Sequence, residues 1–329
     1  MKALAATGYG APHDLHIIDV PAPEAGPGQI QVRIKAASIN PTDLRIVTGA
    51  FKTMLSIAFP YVPGNDFAGT VTAIGPGVTN YRVGDEVFGQ AVPRQLRAVA
   101  STVRPSLSTG SLAEYAVFET DTALLAHRPA SVTPEQAAAL GTAGMTARAI
   151  AQIAAMKRGE KALVIGATGG VGVALLPLLS HAGAYTIATA RSLDGRDLVS
   201  RLGADSVIAP DPSAYPENVD VVFNLALFSD GIAEAARSLR PGGRMVTIIY
   251  PAPTQEDLGR DDVELHAMLG GNGLYGGMAD VAEDAANGIL TVEIARVFPF
   301  KNAVEAVVAY ATDKPLGKIV VSFDDAPAG

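Results

Sequence analysis

Residues 161–183 of the chain read KALVIGATGGVGVALLPLLSHAG, and this stretch decides the fold. An apolar run at residues 162–165 has strand character, and a glycine-dense segment leads from it into a long apolar stretch of helical length. Gly166, Gly169 and Gly172 stand three residues apart. Glycines also cluster in ordinary loops, but a strand, a glycine turn and a helix in this order favour a site for a dinucleotide pyrophosphate. Glycine leaves the peptide N–H groups uncovered, and the helix N-terminus attracts an anion.

The composition of the 329-residue chain limits what it can be. Hydrophobic residues make up 48% and charged residues 18% of the sequence, which is typical of a globular protein with room for two domains. The net charge of −8 indicates no basic surface, so no nucleic-acid partner is expected. No apolar stretch approaches the length of about 18–20 residues that spans a membrane, and no signal-peptide pattern is present. We therefore expect no membrane contact and a cytoplasmic protein.

The chain contains no cysteine, which excludes disulfides, thiol nucleophiles and every cysteine-ligated zinc site. Its five histidines form neither an HExxH motif nor another compact ligand spacing; they are His13, His16, His127, His181 and His266. The sequence therefore predicts no bound metal.

The pattern of apolar and polar residues changes along the chain. Residues 1 to about 120 alternate apolar and polar positions between turns, which predicts strands. From Pro134 onward, helical segments at 134–140 and 145–156 are followed by alternating strands and helices. Such alternation predicts a parallel sheet covered on both faces. The predicted fold class is thus α/β, with a doubly wound parallel sheet and a mostly-β domain.

Two segments carry further expectations. Residues 90–110 form a long stretch with several Arg, Ser and Pro, and they are interpreted either as a lid on the substrate side or as a variable surface loop. Residues 296–323 are strand-rich like the beginning of the chain, so the tail is expected to return to the first domain.

Several motifs in a fixed order add a resemblance to these local patterns. They are AASINPTDLR (36–45), VPGNDFAGTVTAIGPGV (62–78), VGDEVFG (83–89), GSLAEYAV (110–117), AAALGTAGMTA (137–147), VIGATGGVG (164–172), RLGAD (201–205), LRPGGRMV (239–246) and LGKIVV (316–321). Together they resemble the medium-chain dehydrogenase/reductase superfamily, and within it the zinc-independent quinone oxidoreductases of the zeta-crystallin-like group.

The resemblance implies a GroES-like catalytic domain from residues 1–122 and 272–329, and a Rossmann NADP-binding domain from residues 123–271. It also implies a cofactor and a substrate held in the cleft between them, and a homodimer formed through edge strands of the Rossmann sheets. The zinc-dependent branch of the superfamily carries a Gly-His-Glu segment where this chain reads Gly64-Asn65-Asp66. The zinc sites of that branch are therefore expected to be absent.

Two catalytic residues are implied by the resemblance. Asn40 is expected to face the nicotinamide and the acceptor as a hydrogen-bond donor, with a turn cap before Pro41 as the alternative. Asp43 is expected to have a structural hydrogen-bonding role. Many quinone reductases carry a tyrosine two residues later, where this chain has Arg45, and the later aromatic residue, Phe51, has no hydroxyl. The remaining tyrosines that could serve as donors are Tyr61, Tyr250 and Tyr275.

The resemblance and the glycine turn together predict a cofactor-binding set. Its members are Asn40, Thr142, Gly166, Thr168, Gly169, Gly170, Val171, Gly172, Arg191, Ser192, Asn224, Tyr250 and Lys318. NAD-preferring sites place an acidic residue after the second strand of the parallel sheet, but this chain has Arg191 there and no acid before Asp194. Arg191 can bind a 2′-phosphate, and Arg196 can assist, so NADPH is predicted over NADH.

The leading hypothesis for function is an NADPH-dependent, zinc-free reductase of quinones or similar conjugated carbonyls. One alternative keeps the fold but reduces the carbon–carbon double bond of an enone or enoyl thioester. Another is an NADPH-binding sensor or structural protein with little turnover. The stretch from Tyr310 to Lys314 fits the YxxxK pattern of short-chain dehydrogenases, but it lies near the end of the chain and is interpreted as a solvated helix end.

Overall fold

The structure is a computed structural model that describes residues 1–54, 56–99, 104–228, 231–268 and 274–323. The chain divides into two compact units. The strand-rich unit comprises Met1–Thr142, Asn272–Ala286 and Ile294–Gly329, and the parallel-sheet unit comprises Ala143–Gly271 and Asn287–Glu293. The domain bounds given by the resemblance place the first division at 122/123 and stay a prediction.

The described residues contain seventeen strands and eight α-helices. The strands are β1 (Lys2–Ala5), β2 (His16–Asp19), β3 (Gln29–Ser38), β4 (Asp66–Ile74), β5 (Glu86–Gln90), β6 (Val92–Pro93), β7 (Leu107–Ser108), β8 (Tyr115–Glu119), β9 (Leu125–His127), β10 (Lys161–Ile165), β11 (Tyr185–Thr189), β12 (Ser206–Ile208), β13 (Val219–Asn224), β14 (Leu239–Thr247), β15 (Glu264–Ala267), β16 (Ile294–Pro299) and β17 (Lys318–Ser322). The helices are α1 (Pro41–Val47), α2 (Pro134–Ala154), α3 (Gly170–His181), α4 (Leu193–Arg201), α5 (Ile232–Arg237), α6 (Gln255–Leu258), α7 (Met278–Ala286) and α8 (Ala303–Thr312). No described helix has both the length and the apolar character needed to cross a bilayer.

The parallel-sheet unit is built on six strands of the described chain, in the order β12-β11-β10-β13-β14-β15, and every neighbouring pair is parallel. Residues 162–165 of β10 are buried, as a central strand covered on both faces requires. Leu163 pairs with Ile187 on one side and Val222 on the other, and all three belong to one apolar core. This order is that of a doubly wound Rossmann sheet, and the predicted fold class is confirmed.

The strand-rich unit is centred on β3, whose residues alternate between the core and the outside. Ile30, Val32 and Ile34 are buried, because side chains two apart on a strand point to the same face. β3 pairs antiparallel with β4, β8 and β17, so the tail of the chain joins the sheet that the beginning of the chain forms. Phe67 and Phe118 stack in the core with ring centroids 3.6 Å apart.

Two predictions from the sequence differ from the structure. The helical segments at 134–140 and 145–156 form one continuous helix, α2, in which Gly141 lies against the Asp66 carboxylate; a Cβ at Gly141 would lie 2.6 Å from that carboxylate. The interpretation of Tyr310 as part of a solvated helix end was wrong for the ring itself. Tyr310 packs against the core of the strand-rich unit, and burial raises the pKa of its hydroxyl. The four residues that follow it, Ala311 to Lys314, are exposed, as expected for a solvated helix end.

The long segment at 90–110 is anchored over its described part. Leu96 and Leu107 are buried, and the Ser106 hydroxyl donates to the Gln90 carbonyl at 2.6 Å. β6 and β7 pair within the segment, and residues 100–103 lie outside the described residues. Whether the segment acts as a lid or as a surface loop stays a prediction.

Gly69 of β4 permits the close approach of β3, and an alanine there should weaken the strand-rich unit. A Cβ at Gly69 would collide with the Arg33 carbonyl oxygen, which is backbone and cannot rotate away. Because overpacking costs about 1–3 kcal/mol, Gly69→Ala should lower the free energy of unfolding by about that amount. Urea unfolding measures it. Gly8→Ala is the matched control, since a Cβ at Gly8 has no atom within 4 Å; equal stabilities of the two variants would contradict this packing.

Candidate functional site

The glycine turn after β10 has the conformation that phosphate binding requires. Gly166 has φ +87°, in the left-handed region that favours glycine. A Cβ at Gly172 would collide with the backbone of Ala167, so this glycine lets helix and turn pack closely. α3 begins at Gly170, and its N-cap, Gly169, offers no side-chain hydrogen bond to the first helical N–H groups. These N–H groups are therefore available to an anion.

Gly169 itself is open. A Cβ there would have only the Gly166 carbonyl oxygen nearby, at 3.5 Å, so the turn presents bare backbone at this point. Thr168, Gly170 and Val171 are partly exposed around it. The predicted phosphate-binding residues thus lie together on one turn, in the arrangement of a dinucleotide site.

The carboxyl ends of the parallel strands carry the other predicted cofactor residues of this unit. Arg191 and Ser192 follow β11, Asn224 ends β13, and Tyr250 follows β14. Since the strands are parallel, these positions share one edge of the sheet with the glycine turn. β10 lies between β11 and β13, where the strand order reverses, and such a switch point is where doubly wound sheets bind ligands.

Arg191 and Asn224 differ in how they are held. The exposed Arg191 side chain makes no hydrogen bond or ion pair with the described part of the chain. Ser192 caps α4 by accepting from Gly195 N–H at 3.1 Å, which leaves its own hydroxyl proton free to donate. Asn224 is fully buried, donates to Leu227 O and Thr247 Oγ1, and accepts from the Leu227 N–H. Its amide shapes the following turn.

In the strand-rich unit, the carboxylate of Asp66 gathers the predicted catalytic residues. Asn40 donates from Nδ2 to Asp66 Oδ2 at 2.9 Å and accepts at Oδ1 from Lys318 Nζ at 2.6 Å. Lys318 Nζ also donates to the Ile39 carbonyl and lies 3.6 Å from Asp66 Oδ2. The second Nδ2 proton of Asn40 points to the Ser38 carbonyl at 3.3 Å. The Asn40 amide therefore has a partner on each of its atoms.

The other oxygen of Asp66 is held by helix α2. Thr142 donates both its N–H, at 2.9 Å, and its hydroxyl, at 2.7 Å, to Oδ1. The Ser38 hydroxyl donates to Oδ2 at 3.2 Å. With Asn40, these give the carboxylate four hydrogen-bond donors. We call Ser38, Asn40, Asp66, Thr142 and Lys318 the Asp66 cluster.

The charges in the Asp66 cluster are enclosed. Burial raises the pKa of the Asp66 carboxyl, while Lys318 and the hydrogen bonds from Asn40 and Thr142 oppose that rise. Burial lowers the pKa of the Lys318 ammonium, and the carboxylates of Asp66 and Asp43 oppose that fall. A buried ion pair is tolerated only when its hydrogen-bonding capacity is filled in this way.

Asp43 lies beside the Asp66 cluster and orders the start of α1. Its carboxylate accepts from Asn40 N–H at 2.8 Å and from Gly64 N–H at 3.1 Å. Burial, together with repulsion from Asp66, raises the pKa of this carboxyl to about 7. These bonds agree with the structural role expected for Asp43.

Arg45 and Phe51 occupy the positions where a tyrosine donor was expected, and three tyrosines elsewhere in the chain are the other possible donors. The Arg45 guanidinium lies 5.9 Å from the centre of the Phe51 ring. Tyr61 is fully buried, Tyr250 is 41% exposed and Tyr275 is partly buried. The Tyr61 hydroxyl is enclosed without a hydrogen-bond partner.

Sequence reasoning missed Asp66 and Ser38, and it assigned Thr142 and Lys318 only to the cofactor. A signal was present, because Asp66 and Lys318 are charged residues that each open an apolar strand. Such a residue, buried at the start of a core strand, needs a partner. The structure joins Asn40, Thr142 and Lys318 through Asp66; their contact with a cofactor stays a prediction. Within the described residues, no three His, Asp or Glu side chains group as a metal site would require.

Comparisons with known proteins agree with this architecture. Residues 26–128 match the alcohol dehydrogenase GroES-like domain, and residues 202–321 match the zinc-binding dehydrogenase family. The quinone oxidoreductase of Mus musculus is 31% identical over 270 residues, which cover 78% of this chain and 75% of the mouse protein. The quinone oxidoreductase structure from Coxiella burnetii superposes with a TM-score of 0.82 at 27% identity, covering 98% of this chain and 99% of that one.

A further relative is the 2-methylene-furan-3-one reductase of Solanum lycopersicum, 34% identical over 254 residues that cover 75% of this chain. The chain spans 62% of the length of that tomato protein. The chain belongs to the quinone oxidoreductase group of the medium-chain dehydrogenase/reductase superfamily, as the motifs indicated. The mouse and tomato relatives are oxidoreductases by name.

The raised pKa of Asp43 predicts a pH-dependent stability. Between the ordinary pKa of 3.8 and about 7, the folded chain holds a proton that the unfolded chain has released. The contribution of Asp43 to stability is therefore full below the ordinary pKa and is lost as the pH rises through about 7. The loss reaches at most about 1.4 kcal/mol per pH unit.

Asp43→Asn removes this titration. Urea unfolding at a series of pH values between 5 and 8 should show the stability advantage of the native chain over the variant shrinking toward neutral pH. An advantage that stays constant or grows over this range would contradict the raised pKa.

Proposed function

We propose that the protein is an NADPH-dependent reductase of quinones or similar conjugated carbonyls that works without a resident metal. The observation that carries the proposal is the edge of the parallel sheet: an uncapped glycine turn and, after the next strand, an unpartnered Arg191 where NAD-preferring sites have an acid. NADPH bears both a pyrophosphate and a 2′-phosphate, and these residues provide for each.

The described residues fit this cofactor. The N–H groups at the start of α3 would hold the pyrophosphate, and Gly169 would let it approach the backbone. Arg191 and the free hydroxyl proton of Ser192 would hold the 2′-phosphate. When bound, the cofactor supplies a hydride, which is two electrons and one proton. The acceptor takes this hydride and a second proton from solvent, and NADP⁺ is left.

The class of hydride acceptor is inferred from the hydrogen-bond donors that the chain can provide. In a chain without cysteine, whose described residues hold no three-donor metal group, hydrogen-bond donors would stabilise a developing oxyanion. Conjugated carbonyls suit such a site because their negative charge spreads over several atoms. The quinone oxidoreductase relatives from mouse and Coxiella burnetii support a quinone in particular.

The tomato relative supports a second candidate. Its name describes an enone with an exocyclic double bond, so reduction of the carbon–carbon bond of an enone or enoyl thioester is the alternative on the same fold. An NADPH-binding sensor or structural protein with little turnover is the alternative of another class, motivated by Arg45 in place of the tyrosine. A homodimer formed through a sheet edge and a cytoplasmic location are proposed as well.

A panel of acceptors separates these functions. Stopped-flow oxidation of NADPH should be fastest with benzoquinones, slower with enones and slowest with crotonyl thioesters. The reverse order would favour the double-bond reductase. Tight NADPH binding, measured by fluorescence titration, without reduction of any acceptor would favour the sensor.

Arg191→Ala should remove the preference for NADPH. A charge-assisted bond to the 2′-phosphate contributes about 1.5–3 kcal/mol, so the variant should bind NADPH at least about tenfold more weakly and NADH equally well. Dissociation constants for both cofactors measure this. Arg201→Ala is a control, because Arg201 ends α4 and pairs with Glu293 at 3.4 Å. Equal affinities for the two cofactors in the native chain would contradict the NADPH assignment.

A further inference from the structure

Two asparagines adjoin Asp66: Asn40 donates to its carboxylate, and Asn65 precedes it in the sequence. Their side chains are held in opposite ways. Asn40 is 2% exposed and has a partner on each amide atom. Asn65 is 4% exposed, yet its side chain makes no hydrogen bond with any described residue. Its Oδ1 is enclosed without a partner, whereas Nδ2 is not enclosed. A buried amide left unpaired is rare and costs stability, so it calls for a functional explanation.

The backbone that carries Asn65 is fixed on both sides. Gly64 donates its N–H to Asp43 and accepts from Ser111 N–H, while the Asn65 carbonyl accepts from Ala91 N–H at 2.8 Å. Gly64 has φ +115°, and a Cβ there would lie 2.7 Å from the Leu112 nitrogen. Asp66, the next residue, is locked by its four donors. The unpaired side chain is therefore not a consequence of a loose loop.

We infer that the Asn65 side-chain amide is the group that binds the carbonyl oxygen of the acceptor. Nδ2 would donate a hydrogen bond to this oxygen, which gains negative charge when the conjugated system accepts the hydride, and solvent then supplies the proton. The inference rests on the proposed function. A neutral donor on a rigid backbone is suited to this task, because it needs no reorganisation as the charge develops.

The neighbouring groups are less suited. Thr142 donates its hydroxyl proton to Asp66, and Lys318 is enclosed and occupied by Asn40 and Ile39. The Tyr61 hydroxyl is fully buried. Gln90 also has an enclosed, unpaired Oε1, but its side chain is only partly buried, whereas Asn65 is 4% exposed. Asn65 thus combines an unspent donor with a fixed position.

Asn65→Leu tests the inference, because leucine has nearly the shape of asparagine and no polar atom. Without an unpaired amide to bury, the variant should have the same or a higher Tm than the native chain. Its kcat/KM for the best quinone or enone of the panel should fall by about tenfold or more, with the NADPH dissociation constant unchanged. Asn65→Ser keeps a hydroxyl donor and should recover part of the activity.

Asn40→Leu is the matched comparison for stability. It removes an amide whose hydrogen bonds are all made, so its Tm should fall where that of Asn65→Leu does not. A fall in Tm for Asn65→Leu as large as for Asn40→Leu, or an unchanged kcat/KM, overturns the inference and leaves the proposed function standing. A native chain that reduces no acceptor in the panel overturns the proposed function and this inference together.

Discussion

The buried carboxylate of Asp66 is the constraint on which the polar interior of the strand-rich unit depends. It is fully enclosed. The free-energy cost of burying an unpaired carboxylate there would exceed the net free energy of unfolding of a typical protein. Its partners come from four separate elements: Ser38 ends β3, Asn40 precedes α1, Thr142 lies in α2 and Lys318 opens β17. These elements are therefore tied to one another by charge as well as by apolar packing. Loss of any one donor would leave part of a charge uncompensated.

This constraint also explains which polar groups remain for function. Four donors and an ammonium converge on one carboxylate. Asn40 and Thr142 donate to Asp66, and Lys318 donates to Asn40, so the donors of these residues are already used within the cluster. Asn65 adjoins Asp66 in the chain but shares none of its bonds. Asn40, Thr142 and Lys318 therefore hold the cluster together, whereas the Asn65 amide still has a donor for a ligand.

The sequence predicted the parallel-sheet unit well, because its signals are local. An apolar strand, glycines at spacing three and a helix lie within residues 161–183, and no distant contact is needed to interpret them. The sequence indicated that Asp66 and Lys318 need partners, but not which ones, since the members of the Asp66 cluster lie as far apart as residues 38 and 318 and meet only through the register of β3 with β4 and β17. Propensity carries no information about such register. The exposure of Tyr310 was predicted wrongly for the same reason: the sequence indicated a helix, but not the core against which the ring packs.

The two units differ in the polar groups that they leave without partners. The edge of the parallel sheet leaves a cation and a row of helix N–H groups without partners, which suits a ligand that arrives with several negative charges. The Asp66 cluster leaves no cation available, because the only ammonium in it is enclosed and bound to Asn40 and Ile39. An acceptor carrying its own carboxylate or phosphate would find no compensating charge in this cluster. A neutral conjugated carbonyl, whose charge develops only during hydride transfer, needs a single neutral donor, and that is what an unpaired amide provides.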